Sequence, residues 1–275
     1  MDDSSTSTSA KIIPLPQSGV TDGETNIFRL PITDKEQEKK EEAWATLAQE
    51  ARTEASFKSP IKILEFPILS EEDCGKVKDI VLSIKDHWIP RGNNSFWTIG
   101  ASTYNDLMIH EEGHASYYEV AQKNNVIIQE CFGPLLQGVR DVIGKIYRRE
   151  CIDLPFAGLM GFHIFNSTSH TRKDEGGNIH TDEPFQRLLW VEPFANPFSF
   201  TLAISLTGDR GGLDYWDENN KQHYLPYKLG HMYVHNGRFP HRINFDDIPT
   251  DEKPRITLQG HGAILLDTNR VAVYF

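Results

Sequence analysis

Apolar residues recur along this chain with two different periods, and the texture changes after Leu154. Before that point the spacing is mostly helical. Trp44, Leu47, Ala48 and Ala51 form a narrow stripe in the highly charged stretch from Asp34 to Ala55, which predicts a helix docked by one edge. IKILEFPILSEEDC, from Ile61 to Cys74, reads as a strand and then a helix start. Ser70 with Asp73 three residues on resembles a capping box, and Val77, Ile80, Val81 and Ile84 continue one helical face. Residues 116–150 predict two helices broken near Gly133–Pro134, with Leu136, Val139, Ile143 and Ile146 on the core face of the second.

Beyond Leu154 the period falls to two. In FSFTLAISLT, Phe198, Phe200, Leu202, Ile204 and Leu206 alternate with polar or small residues, the pattern of a half-buried strand. GDRGG is a turn and LDYW the return strand of a hairpin. AGLMGFHIF, HMYVH and RITLQGHGAILL read as further strands. The expected fold is α+β, mainly β: a jelly-roll or cupin-like double sheet over about 155–275, buttressed by helices over about 34–150. Residues 1–25, rich in Ser, Thr, Asp, Gly and Pro, predict a disordered tail ahead of a single domain over 26–275.

Composition narrows the function. The 275 residues are 39% hydrophobic, enough for a real core. The formal net charge of -11, with no long Lys/Arg cluster, excludes nucleic acid and anionic membranes as expected partners. No apolar run reaches the ~18 residues of a membrane span, and the acidic, polar start lacks the form of a signal peptide. Cys74, Cys131 and Cys151 are widely separated, so neither a disulfide framework nor a zinc ribbon is expected, and reduced thiols in a cytoplasmic protein are.

Candidate chemistry starts at GGNIHTDEPF, Gly176 to Phe185. On an extended strand His180 and Asp182 share a face and can share one cation. A third ligand is needed, and eight histidines follow residue 160. His241 stands out in the context Pro-His-Arg-Ile after a strand and a turn, with His235 and His261 as rivals. Arg255 and Thr257 again share a strand face, and His261 lies on that face by parity.

The order His180-x-Asp182, distant His241, then Arg255-x-Thr257 resembles the iron(II)- and 2-oxoglutarate-dependent oxygenases, whose core is a double-stranded β-helix. The hairpin TLAISLTGDRGGLDYW is similar to their central hairpin, and the likeness spans roughly 157–270. The resemblance implies that His180, Asp182 and His241 hold iron as a facial triad. It implies that 2-oxoglutarate and O2 take the open positions, and that Arg255 receives the distal carboxylate with help from Thr257. His163 and Asn166 stand where residues of that family touch 2-oxoglutarate.

The expected activity is hydroxylation of a small molecule, such as an amino acid or secondary metabolite. Desaturation or cyclisation would use the same ligands. A halogenase would lack Asp182, a cupin-type metalloenzyme would not need Arg255, and a non-catalytic jelly-roll module would not need a triad. Trp97, Tyr104, Arg187 and Trp216 are candidate substrate contacts, with FWTIGASTYND read as a pocket-lining loop. SHTRKDEGGN, 169–178, is a candidate lid. Oligomeric state is left open.

Overall fold

The structure, a computed structural model, describes residues 63–92, 96–107, 113–167, 178–208, 211–245 and 249–275. The expected tail, the helix expected over 34–55 and all of the candidate lid except Asn178 lie outside these residues. Within them the strands are β1 (Ile63–Pro67), β2 (Ile89–Arg91), β3 (Phe96–Ile99), β4 (Cys151–Asp153), β5 (Gly161–Phe165), β6 (Phe194–Ser205), β7 (Gly212–Trp216), β8 (Gln222–Pro226), β9 (His231–His235), β10 (His241–Asn244), β11 (Arg255–Leu265) and β12 (Val271–Tyr274). Two α-helices, α1 (Glu71–Ser83) and α2 (Gly113–Tyr147), complete the set.

The larger sheet runs β1-β9-β6-β11-β5-β3-β2, with β12 beside β11 and β4 beside β12; the smaller is β10-β7-β8. All pairings are antiparallel except β12 with β4. The two sheets make the expected jelly roll.

Both α-helices pack against one face of the larger sheet. Val77 and Val81 of α1 and Phe132, Leu136, Val139 and Ile143 of α2 share a core with Phe162 and Ile164 of β5, Phe198, Phe200, Leu202 and Ile204 of β6, and Ile256 and Leu258 of β11. Burying each such side chain contributes ~1.5–3 kcal/mol. Helix α1 starts as its sequence suggests: the Asp73 amide donates to Ser70 Oγ at 3.1 Å.

Three expectations need correction. The break near Gly133–Pro134 does not occur, and α2 runs unbroken for 35 residues with Pro134 inside. Proline in a helix interior costs ~3 kcal/mol, but Ile128, Phe132, Leu135 and Leu136 are all buried around it, and that burial outweighs the local loss. Strand β6 is not half-buried: its alternate residues Ser199, Thr201 and Ala203 are buried too. They face the interior between the sheets, where Ala203 packs with Leu213, Tyr227, Tyr233 and Phe239. Finally, FWTIGASTYND is no plain loop; it contains β3 and then a short π-helical turn, Thr103–Leu107.

Candidate metal centre

Because the helix-facing positions of β5, β6, β9 and β11 are apolar, the intervening positions point between the sheets. These are His163 and Phe165, Ser199 and Thr201, Tyr233 and His235, and Arg255, Thr257 and His261. The candidate site is built in this interior.

Asn178–Asp182 runs beside β10. His180 and His241 exchange both backbone hydrogen bonds, 3.0 and 2.9 Å, so they stand directly opposite one another. Their rings lie 4.5 Å apart. Asp182 follows two residues later on the same face, its amide donating to the Gly237 carbonyl at 2.7 Å. Asp182 Oδ1 is 3.7 Å from His180 Nε2 and Oδ2 is 3.5 Å from His241 Nε2. One donor atom from each of the three residues falls within 4.8 Å of the other two.

The tautomers follow from the partners. His180 Nδ1 lies 2.7 Å from the Asn178 carbonyl and His241 Nδ1 lies 2.9 Å from the Phe239 carbonyl. A carbonyl only accepts, so each Nδ1 carries a proton and each Nε2 faces Asp182. That orientation is what a metal requires of imidazole, and the donor set of two imidazoles and a carboxylate suits a divalent first-row transition metal. Burial pushes the Asp182 carboxyl up, but His241 beside it, with His261 and His180, outweighs this and holds it well below the usual range. It is an anion available as a ligand.

Among the rivals for third ligand, His235 accepts the Gly237 amide on Nδ1 at 3.0 Å and is held to about 3 by burial and by His241. His261 is held by Ser199, Oγ to Nδ1 3.0 Å. Neither joins the three-residue cluster.

At the other end of the interior lies Arg255. It is 1% exposed, and its Nε and Nη1 have no hydrogen-bond partner. Three aromatic rings surround it, with its Cζ 5.7 Å from Phe165, 5.7 Å from Phe245 and 5.9 Å from Tyr227. Burial lowers even this guanidinium, to about 10. An isolated buried cation is costly, and the rings offset only part of that cost. Thr257, fully buried, follows on the same face and accepts from Gln259 Nε2 at 3.1 Å. Across the sheet from Thr257 stands His163, held near 3 by burial and by Arg255 and Arg91, with Nε2 buried and unpartnered.

No protein-family profile and no curated protein sequence matches this chain. Solved structures do match. An N-substituted L-amino acid dioxygenase from Burkholderia ambifaria aligns at TM-score 0.52 and 10% identity, covering 84% of this chain and 91% of that one. Its complex with alpha-ketoglutarate aligns at 0.51, with the same identity and coverage. The alpha-ketoglutarate-dependent carbocyclase SnoK from nogalamycin biosynthesis aligns at 0.46 and 9% identity, covering 84% and 96% of the two chains.

The chain has the double-stranded β-helix fold of this dioxygenase.

Within the dioxygenase fold the remaining candidates separate. Tyr104 is brought to the triad, its ring 5.7 Å from that of His180. Asn166 is buried just past β5. Arg187 is exposed after the short helical turn Pro184–Gln186. The structure does not bring Trp97 to the triad: it packs in the helix-facing core, 6.2 Å from Trp88. Trp216 stands on the outer face of β7 under Arg242, at 5.6 Å, while its neighbour Tyr215 packs inward near Phe239.

Sequence reasoning missed Tyr227, whose ring walls the Arg255 pocket, and Gly237. At Gly237, φ is +68°, and a Cβ would lie 2.7 Å from Ser199 Oγ and 2.8 Å from Asp182 Cβ. The Asn-Gly dipeptide signalled a turn there, but not its contact with the triad.

No helix among the described residues is long and apolar enough to cross a membrane.

Proposed function

We propose that this chain is an iron(II)- and 2-oxoglutarate-dependent dioxygenase that oxidises a small molecule, by hydroxylation of an unactivated carbon. The observation that carries the reading is the pairing, in one interior, of a His-Asp-His cluster with a buried guanidinium that has no anionic partner among the described residues. A metal site alone would not need Arg255, and Arg255 alone would not need the triad.

His180 Nε2, His241 Nε2 and an Asp182 oxygen would hold the metal. Iron(II) there would supply activation of O2 and of the keto acid. Arg255 receives the distal carboxylate of 2-oxoglutarate, since a planar fork matches a carboxylate bidentately. Thr257 adds a hydroxyl, His163 offers its free Nε2 to the same ligand, and Asn166 stands at the end of that strand. Asp182, an anionic protein ligand, favours oxygen transfer over halogenation. Tyr104 faces the substrate, and Arg187 is a second candidate contact.

The dioxygenase whose fold the chain shares acts, by its name, on N-substituted L-amino acids. Amino acids and their N-substituted forms are therefore the first compounds to test. The assay is substrate-dependent release of succinate, with iron(II) and ascorbate under oxygen-18 gas and excess chloride. The product is expected to gain one oxygen-18 atom. A halogenated product, or one without added oxygen, contradicts hydroxylation. Absence of succinate with every compound, together with failure to bind iron, contradicts the whole reading.

A further inference from the structure

A largely buried ion pair, outside the triad, joins Arg91 to Asp106. Arg91, 8% exposed at the end of β2, grips Asp106 with two parallel bonds, Nη2 to Oδ2 being 2.7 Å. Its Nε donates to Thr98 Oγ1 on β3 at 2.9 Å. Asp106 Oδ2 also accepts the Ser102 amide at 2.8 Å, and the Asp106 amide returns to the Ser102 carbonyl at 2.7 Å. Two sheet strands are thereby tied to the single π-helical turn Thr103–Leu107. Such turns are rare and are found frequently at functional sites.

The turn presents Tyr104 to the triad. Of the three triad side chains, His241 and Asp182 are closed off, at 6% and 12% exposed, whereas His180 is 31% exposed. Tyr104 lies against that open ligand and is itself 39% exposed. Arg255, at the other end of the interior, is 1% exposed. Among the described residues the most exposed ligand is therefore the one that Tyr104 covers.

We propose that the Arg91–Asp106 pair is a positioning device that holds Tyr104 over His180 as the substrate-facing wall of the site, presenting an aromatic face to an apolar or planar part of the substrate. Arg91 and Asp106 act through Tyr104. This rests on the reading of His180, Asp182 and His241 as a metal site.

The test uses the full chain labelled with 3-fluorotyrosine and cobalt(II) as a paramagnetic probe, followed by fluorine NMR. Nine tyrosines give nine candidate signals, and Tyr104→Phe identifies the one that matters. That signal is expected to shift and broaden strongly when cobalt(II) binds. In Asp106→Asn and Arg91→Met the cobalt shift of Tyr104 should collapse while cobalt(II) affinity stays unchanged. Arg91→Lys should restore part of it, because one charged contact to Asp106 survives. Should Arg91→Met fail to fold, Asp106→Asn, which keeps the shape of the side chain, decides the matter alone. A Tyr104 signal that ignores bound cobalt(II), or one that keeps its shift in folded Asp106→Asn, overturns the proposal and leaves the metal site standing. Failure of wild type to bind cobalt(II) overturns the metal site and this proposal together.

Discussion

The two ends of the interior solve opposite problems. At the triad end the groups face one another or the backbone: the Nδ1 atoms of His180 and His241 donate to backbone carbonyls, and Asp182 lies between the two Nε2 atoms. At the Arg255 end a cation is buried among three rings, with two of its nitrogens unpartnered. The fold brings the triad's donor atoms together, within 4.8 Å of one another. Among the described residues the Arg255 pocket holds a charge with no anionic partner, which an incoming anion would relieve. Metal binding should therefore depend on geometry, and cosubstrate binding on charge.

The sharpest way to break this contrast is at the triad. His180→Ala or His241→Ala is expected to abolish iron(II) binding and turnover with circular dichroism unchanged, since the backbone bridge between the two residues needs neither side chain. Stoichiometric iron with near-normal turnover in either variant would show that the ligand is misassigned.

Next in size is Arg255→Met. Losing one side of a buried charge pair costs ~2–5 kcal/mol of binding, or roughly 30- to 4,000-fold in 2-oxoglutarate affinity. The melting temperature of the ligand-free variant should stay level or rise, because an unpaired buried charge is replaced by apolar volume. A folded state that melts earlier, with 2-oxoglutarate affinity intact, would mean that Arg255 is structural.

Gly237→Ala sharpens the contrast from the metal side. The left-handed backbone costs ~1–2 kcal/mol for a residue with a Cβ. The added carbon must also push Ser199 or Asp182 aside, and disturbing the support of a ligand lowers metal affinity ~10–100-fold. Isothermal titration should find weaker iron(II) binding with 2-oxoglutarate contacts otherwise retained. Unchanged iron affinity would show that Asp182 is not held from this side.

The smallest effect belongs to Thr257→Ala. A neutral hydrogen bond contributes ~1 kcal/mol, so 2-oxoglutarate affinity should fall about fivefold with iron binding untouched. A loss as large as that in Arg255→Met would move the main anion contact to Thr257.

What was legible in the sequence was local. The same-face pairs His180/Asp182 and Arg255/Thr257 follow from strand parity alone, and the Pro-His-Arg context picked out His241. The Ser70 cap and the alternation in β6 were equally plain. Parity gave two faces for β6 but not their surroundings. Polar residues usually face water, and here Ser199 and Thr201 face an interior that exists only once the second sheet is in place. The same ambiguity left Tyr215, which packs inward beside the candidate Trp216, without a signal and put Trp97 on the wrong side of its strand. Arg91 and Asp106 gave no signal, since the partners lie fifteen positions apart in the sequence. Tyr227 was hidden because it lies between β8 and β9 and meets Arg255, 28 positions later, only in the folded chain.

The central claim is that one interior binds iron(II) at the triad and 2-oxoglutarate between the triad and Arg255. The most direct measurement is an anaerobic titration of the purified full chain with iron(II) and then 2-oxoglutarate, followed by visible absorption. A weak metal-to-ligand charge-transfer band should appear only when both are present and saturate at one 2-oxoglutarate per iron. It should vanish in His241→Ala and require far more 2-oxoglutarate in Arg255→Met. Iron(II) bound without any band at saturating 2-oxoglutarate, or a band indifferent to Arg255→Met, would contradict the account.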